Sequence, residues 1–374
     1  MTTPSIRRPL VIVHTPAGGG HKAAANAIAE TARLRGLQAV VIDALDRSPA
    51  WFRQAYVSTH LGSTTWLPTF YGGAYFASNQ RVEASDHLRR HFDRLIGAQL
   101  VQAVRAMDPL AVIATHFYPL TVFGDARRRG ELGAPVLGVV TDYAAHAVWA
   151  DPWADAMCAP AGKASEDLRR HGVDARNVIE TGIPVRPAFA AIPDIAPAGV
   201  GDTLQVLVTS GGFGVGPLLD TLRSFTGVAG VQLTVVCGDN PALVERARRL
   251  AARRALDAEI VGYENDMASR MAAAHVVVGK PGGLTATECL VARRPMIIVG
   301  AVPGQETLNR SWLVRNGFAR AASPRHVGQV LAGLRDAGEL ARMARQAPRL
   351  SRPDAADRII DVALSLSQAN RAAA

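Results

Sequence analysis

Apolar residues fall along this chain in short unbroken runs: LVIVHT (Leu10 to Thr15), AVVIDAL (Ala39 to Leu45), AVIATH (Ala111 to His116) and VLGVVTD (Val136 to Asp142). Longer stretches of helical character separate them, the first from about Lys22. Continuous apolar strands divided by helices predict a parallel sheet covered on both faces, that is, a doubly wound α/β domain. After TGIPVRPAF the composition turns to Pro and Ala without periodicity (AAIPDIAPAGVGD, Ala190 to Asp202), which reads as a linker. The alternation then restarts with LQVLVTSGG, VQLTVVCGD, AEIVGY, HVVVGKPGG and RPMIIVG. The pattern predicts two Rossmann-like domains facing a cleft, over residues 1–195 and 196–350. SRPDAADRIIDVALSLSQ, within 351–374, predicts a terminal helix packing back towards the first domain. In such sheets ligands collect beyond the carboxyl ends of the strands.

Composition narrows the class. The chain has 374 residues, 48% hydrophobic and 20% charged, enough for two domains with separate cores. No run approaches the roughly 20 apolar residues of a membrane span, and Met1 to Leu10 holds no apolar signal core. The expected location is therefore the cytoplasm, with any membrane contact made from its inner face. Three widely spaced cysteines in apolar surroundings (Cys158, Cys237, Cys289) suit buried thiols rather than disulfides or a zinc site. A formal charge of +9 favours anionic partners. Most of it lies in helical segments such as RARRLAARR, where a solvated face is the default, and no nucleic-acid motif accompanies it. Only Lys22, Lys163 and Lys280 are lysines, and Lys22 and Lys280 adjoin glycine-rich breaks.

Three strand-to-helix loops are rich in glycine: HTPAGGGHKAAANAI (His14 to Ile28), TSGGFGVGPL (Thr209 to Leu218) and VVVGKPGGLTATECL (Val276 to Leu290). Glycine lets backbone approach a ligand while the following helix offers unpaired amides and a positive dipole end. None fits Gly-x-x-x-x-Gly-Lys-Ser/Thr, and none gives the dinucleotide fingerprint. Phosphate binding of another kind and plain tight turns both remain open. Thr285 to Glu288 likewise fits two readings, a capping box or a carboxylate accepting from the hydroxyls of a ribose whose diphosphate lies beside Gly282 and Gly283.

KPGGLTATECLVARRPMIIVGAVPGQETLNRSWLVRNGFA (Lys280 to Ala319) resembles the donor-site signature of the diacylglycerol glycosyltransferases, the plant monogalactosyldiacylglycerol synthases and bacterial processive glucosyltransferases. GGGHKAAANAI, TDYAAHAVWADP, TGIPVRPAF and TSGGFGVGPL extend the resemblance in family order over most of the chain. The wider group includes the N-acetylglucosaminyltransferase that forms lipid II. The resemblance implies a GT-B fold and an inverting transfer of a hexose, glucose or galactose, from a UDP-sugar to a lipid hydroxyl, with no metal or other cofactor. It places the ribose on Glu288 and the diphosphate on Gly211, Gly212, Phe213 and Gly214, with Lys280, Gly282, Gly283, Leu284 and Thr285 beside it. Gln305 and Glu306 fall at the sugar and Tyr263 and Met267 at the uracil, while Asn309, one turn beyond Glu306, either lines the pocket or faces the helix surface.

Inverting transfer needs a base for the acceptor hydroxyl and stabilisation of the departing UDP. His21 is the first candidate base, since the positive end of the helix it opens favours neutral imidazole. Asp142 and His146 are the second candidates, and His116 is a weaker analogue. Gly19 and Gly20 belong with this acceptor side. The stretch Trp51 to Phe76 concentrates eight of the chain's 21 aromatics, among them Trp51, Trp66 and Tyr71. Such crowding suits an interfacial anchor on an anionic membrane surface or a satellite core. Other outcomes compatible with the pattern are transfer to a soluble or lipid II-like acceptor, 2-epimerisation of UDP-N-acetylglucosamine, or nucleotide-sugar binding without turnover.

Overall fold

The computed structural model of the chain describes residues 8–16, 19–56, 73, 75–79, 83–160, 162–195 and 201–372. They form two compact units, Met1–Pro187 with Pro353–Ala374, and Ala188–Arg352.

In the first unit, strands β1 (Leu10–His14), β2 (Ala39–Asp43), β3 (Ala111–Ala114), β4 (Val136–Val139), β5 (Ala156–Ala159) and β6 (Val178–Glu180) form a sheet of order β2-β1-β3-β4-β5-β6. Every pair is parallel. Strand β1 explains why its apolar run is unbroken. Leu10 and Ile12 enter one core with Ile28 of helix α1 (Gly19–Leu34), while Val11 and Val13 enter another with Ile96 and Leu100 of α2 (Glu83–Arg105) and Phe123 of α3 (Phe117–Arg128). Both faces need apolar residues, so the period-2 signal of a half-buried strand disappears. Gly97 is where α2 meets α3, because a Cβ there would lie 2.5 Å from Val122 Cγ1. The short helix α4 (Lys163–Arg170) precedes β6.

The second unit repeats the plan. Strands β7 (Leu204–Thr209), β8 (Val231–Val236), β9 (Ala258–Val261), β10 (Val276–Gly279), β11 (Met296–Ile298) and β12 (Ala319–Ala321) form a parallel sheet of order β12-β11-β10-β7-β8-β9. Its helices include α5 (Leu218–Arg223), α6 (Pro241–Arg253), α7 (Met267–Ala272), α8 (Gly283–Val291), α9 (Gln305–Arg315) and α10 (Val327–Asp336). Two doubly wound parallel sheets bear out the expected fold class. The chain order reverses direction at β1/β3 in the first sheet and at β7/β10 in the second, which are the positions where this architecture leaves a ligand crevice.

The last helix, α11 (Ala355–Ala372), lies in the first unit, with Ile359, Ile360 and Ala363 in the Leu10/Ile12 core. Arg35 pairs with Asp361 at 2.6 Å and Asn370 donates to the Gly133 carbonyl. The Pro/Ala-rich stretch is partly docked on the second unit rather than a free linker. Arg293 donates to the Ile192 carbonyl, and Arg294, 1% exposed, donates to the carbonyls of Pro193, Met271, Ala272 and Ala292. Four carbonyl dipoles replace the water that burial removes from this guanidinium. The three cysteines are free and buried.

Candidate active site

In the second unit, β7 ends at Thr209 and the chain turns through Gly211 (φ +75), Gly214 (φ +65) and Gly216 (φ +142) before α5. Gly214 is required twice over. Its φ is left-handed, and a Cβ would lie 2.4 Å from the Cys237 carbonyl oxygen. Gly238, at the end of β8, backs the same loop, since its Cβ would meet the Gly211 oxygen at 2.3 Å. The sequence reading missed Gly238; VVCGD shows it directly after a strand. Asn240 caps α6 through Leu243 N and donates to the Gly214 carbonyl, fixing the loop from a third side.

Beside this loop, β10 ends at Gly279 and α8 begins. Its N-cap is Gly282, and no side chain caps the helix. Thr285 is therefore the third helical residue and Glu288 the sixth, so the capping-box reading is overturned. Thr287 uses its hydroxyl on the Gly283 carbonyl. An α-helix start without a side-chain acceptor leaves first-turn amides and the positive dipole end available to an anion. α9 begins the same way at Gly304 (φ +107), also without a side-chain cap. A small concavity opens at these strand ends, with Ser210, Gly216, Thr221, Lys280 and Val299 in its lining.

Lys280 lies 4.0 Å from Glu306 Oε1, while Glu306 Oε2 accepts from Val302 N at 2.6 Å. One oxygen of Glu306 thus holds the loop before α9 and the other faces the ammonium. Gln305, the first residue of α9, is half-buried. Asn309 is 0% exposed and donates to the Pro281 carbonyl at 3.1 Å, tying α9 to the Lys280–Gly282 turn. It anchors that turn from beneath instead of lining a pocket or facing the helix surface. Leu284 is buried, whereas Thr285 and Glu288 are half-buried. Phe213 and Tyr263, 46% and 63% exposed, stand on the loops after β7 and β9. Met267, half-buried, opens α7 behind its cap Asp266.

The corresponding position of the first unit is built from side chains. His21 is the third residue of α1. Its Nδ1 lies 2.6 Å from the Thr115 carbonyl oxygen, and Thr141 Oγ1 is 3.3 Å away. Thr115 Oγ1 donates to the His21 carbonyl at 2.9 Å. The His116 ring meets His21 edge-on with centroids 4.6 Å apart. His116 Nδ1 caps α3 by accepting from Tyr118 N, and its Nε2 is 3.4 Å from Tyr56 Oη. Gly19 and Gly20 form the first turn of α1, before His21. Two buried atoms at the end of β1, His14 Nδ1 and Thr15 Oγ1, have no hydrogen-bond partner among the described residues.

The second-choice bases fare differently. His146 accepts from Val148 N at Nδ1, and its Nε2 lies 2.9 Å from the Tyr75 carbonyl, so both ring nitrogens serve the local fold. Burial holds its pKa below the ordinary histidine value. It is a structural histidine and is withdrawn as a base. Asp142 is half-buried on the loop after β4, and its neighbour Thr141 is the residue that reaches His21. The sequence reading missed Thr115 and Thr141, although each closes an apolar strand run (ATH, VVTD). Trp51 is 58% exposed and stacks edge-on with Phe92 at 6.3 Å. Trp66 and Tyr71 lie outside the described residues. Among the described residues, no group of three or more His, Cys, Asp or Glu is placed to hold a metal ion, and no helix is long and apolar enough to cross a membrane.

Comparison with known proteins matches residues 21–185 to the monogalactosyldiacylglycerol (MGDG) synthase family and residues 207–359 to the glycosyltransferase family 28 C-terminal domain. The chain is 25% identical over 378 aligned residues to a processive diacylglycerol beta-glucosyltransferase of Bacillus mycoides, covering 97% of this chain and 95% of that protein. Among solved structures, MurG of Acinetobacter baumannii superposes with a TM-score of 0.62 at 17% identity, over 96% of this chain and 100% of that one. A UDP-GlcNAc 2-epimerase of Neisseria meningitidis bound to UDP-GlcNAc gives 0.60 at 12% identity, over 96% and 100%. At such identities the structural likeness speaks for the fold alone.

Proposed function

We propose that this chain, which joins an MGDG-synthase-type N-terminal region to a glycosyltransferase family 28 C-terminal domain, transfers a glucosyl unit from UDP-glucose to the hydroxyl of diacylglycerol with inversion at the anomeric carbon. The observation that carries this reading is the end-to-end match to a diacylglycerol glucosyltransferase, with neither half left over. The site geometry supports it. Amides of the Gly211–Gly214 turn and of the uncapped α8 start receive the diphosphate, Lys280 adds a point charge, and Glu288 accepts from the ribose hydroxyls. Tyr263 and Met267 flank the uracil, and Gln305 and Glu306 meet the hexose.

The chemistry is a single displacement. The acceptor oxygen bonds to the anomeric carbon as the bond to the UDP oxygen breaks, and the acceptor proton passes to His21. Negative charge grows on the departing diphosphate, where fixed amide dipoles and the ammonium lower the barrier without reorganising. No metal or other cofactor is assigned to the reaction. His14 Nδ1 and Thr15 Oγ1, buried and without a hydrogen-bond partner among the described residues, support a polar acceptor head group in that region.

The acceptor implies a lipid surface. Trp51, Phe92 and Leu95, 58%, 43% and 63% exposed, support docking of the first unit on a membrane, and the +9 charge favours an anionic one at the inner face of the cell membrane. The test is UDP release from UDP-glucose and UDP-galactose, with and without diacylglycerol vesicles. Release that depends on diacylglycerol, prefers UDP-glucose and rises with anionic lipid is expected. Release indifferent to acceptor lipid, or conversion of a nucleotide sugar to its epimer, contradicts the assignment.

A further inference from the structure

We infer that Thr115 and Thr141 orient His21 as an Nδ1–H tautomer, the Thr115 main-chain carbonyl taking the place that a carboxylate holds in a catalytic triad. The inference rests on the reading of His21 as the base, and its geometry comes from two strand ends. A carbonyl oxygen only accepts, so the 2.6 Å contact requires the hydrogen on His21 Nδ1. The Thr141 hydroxyl, 3.3 Å from the same nitrogen, then faces an N–H and serves as a second, longer acceptor. The neutral ring accordingly carries its lone pair on Nε2, the nitrogen that takes the acceptor proton.

The support is rigid. Thr115 is 0% exposed and Thr141 is 3% exposed, each directly beyond or close to the end of a central strand. Thr115 grips His21 twice, with its carbonyl on the ring and its hydroxyl on the His21 carbonyl, so ring and helix start move together. A main-chain acceptor cannot be protonated away, unlike a carboxylate. Both acceptors favour the imidazolium formed when the proton arrives, as the aspartate does in a Ser-His-Asp triad.

Titratable and charged groups stand on three sides of the ring among the described residues. His116 faces it from the start of α3, with Tyr56 behind; Lys22 follows on α1, and Asp142 follows Thr141 on the β4 loop. His116 accepts a main-chain N–H at Nδ1, so its neutral form is the Nε2–H tautomer. Thr115 and Thr141 are positioning residues and touch no reacting atom.

The experiment combines ¹⁵N-histidine NMR of the full chain, with His21→Gln to identify the signal, and pH profiles of kcat/KM for glucosyl transfer. An Nδ1–H His21 is expected in the wild-type chain. In Thr141→Val, kcat/KM is expected to fall about 3- to 10-fold, the loss of one hydrogen bond to the ring, with UDP affinity unchanged. Its acid limb moves to lower pH, because one acceptor for the protonated ring is gone, and Thr141→Ser restores both. An Nε2–H tautomer in the wild-type chain, or a Thr141→Val profile identical to wild type, overturns the inference. Retained turnover in His21→Ala overturns the base reading instead, while the spectrum still decides the tautomer. Should Thr141→Val fail to fold, the wild-type spectrum and Thr141→Ser decide.

Discussion

The two switch points of this molecule occupy the same place in the same kind of sheet, yet they are made of different material. At β7/β10 the polar groups are largely main chain: three left-handed glycines, two helix starts without side-chain caps, and one lysine. At β1/β3 they are mostly side chains: two imidazoles in edge contact, one of which caps α3, and two threonine hydroxyls, beside the Thr115 carbonyl. Main-chain dipoles have no pKa near neutrality and suit a permanent anion such as a diphosphate. Imidazole changes charge in the physiological range and suits a proton in transit. On the proposed reading, one fold, used twice, is divided into a unit that holds charge and a unit that moves it.

That division is open to breakage, most strongly at His21. His21→Ala is expected to lower kcat/KM about 10²- to 10⁴-fold, the usual worth of a general base, while UDP affinity measured by calorimetry stays the same. A parallel loss of UDP affinity would merge the two roles. Next comes Arg90, which pairs at 2.7 Å with Asp151, whose side chain is 1% exposed and fits because residue 124 is glycine. Arg90→Ala leaves a buried carboxylate unpaired, and denaturant unfolding is expected to show a loss of about 3 kcal/mol. Wild-type stability in that variant would mean that the first unit does not depend on this pair.

On the donor side the contrast lies between neighbouring glycines. Gly214→Ala places a methyl against the Cys237 carbonyl at a left-handed φ, and is expected to destabilise by about 1–3 kcal/mol and to weaken UDP binding. Gly212→Ala has open space around the added methyl and should leave the unfolding free energy nearly unchanged. The smallest effect is with pH. Burial lowers the pKa of His14, His146 and His275. Between those lowered values and the ordinary one near 6.5, the unfolded chain binds more protons than the folded chain. Their contribution to stability is therefore complete above about pH 6.5 and is lost as the pH falls below it, which a Tm series at constant ionic strength will show as a decline towards acid pH.

Much of this architecture was legible because strands buried on both faces write themselves as solid apolar words. β5 was not, since Ala-Met-Cys-Ala favours no strand by residue type and is one only through its place between β4 and β6. β12, Ala-Arg-Ala, is a short edge strand with two exposed residues and carries no periodicity. Among site residues, the glycine loops and His21 were visible as local patterns. The Thr115 carbonyl was not, because a main-chain acceptor leaves no residue signature and reaches its partner across 94 positions. His146 looked reactive in TDYAAH only because sequence hides the Tyr75 carbonyl that occupies its ring. The capping box failed for a comparable reason: the N-cap lies three residues before Thr285, at Gly282.

On the proposed reading, the second unit grips UDP through its glycine turns and the α8 start, with Glu288 on the ribose. Calorimetric titration of UDP into the wild-type chain and Glu288→Gln tests it most directly. A measurable affinity that weakens about 10-fold or more in Glu288→Gln is the expected result. Absence of UDP binding in the wild-type chain, or equal affinity in both proteins, would contradict it.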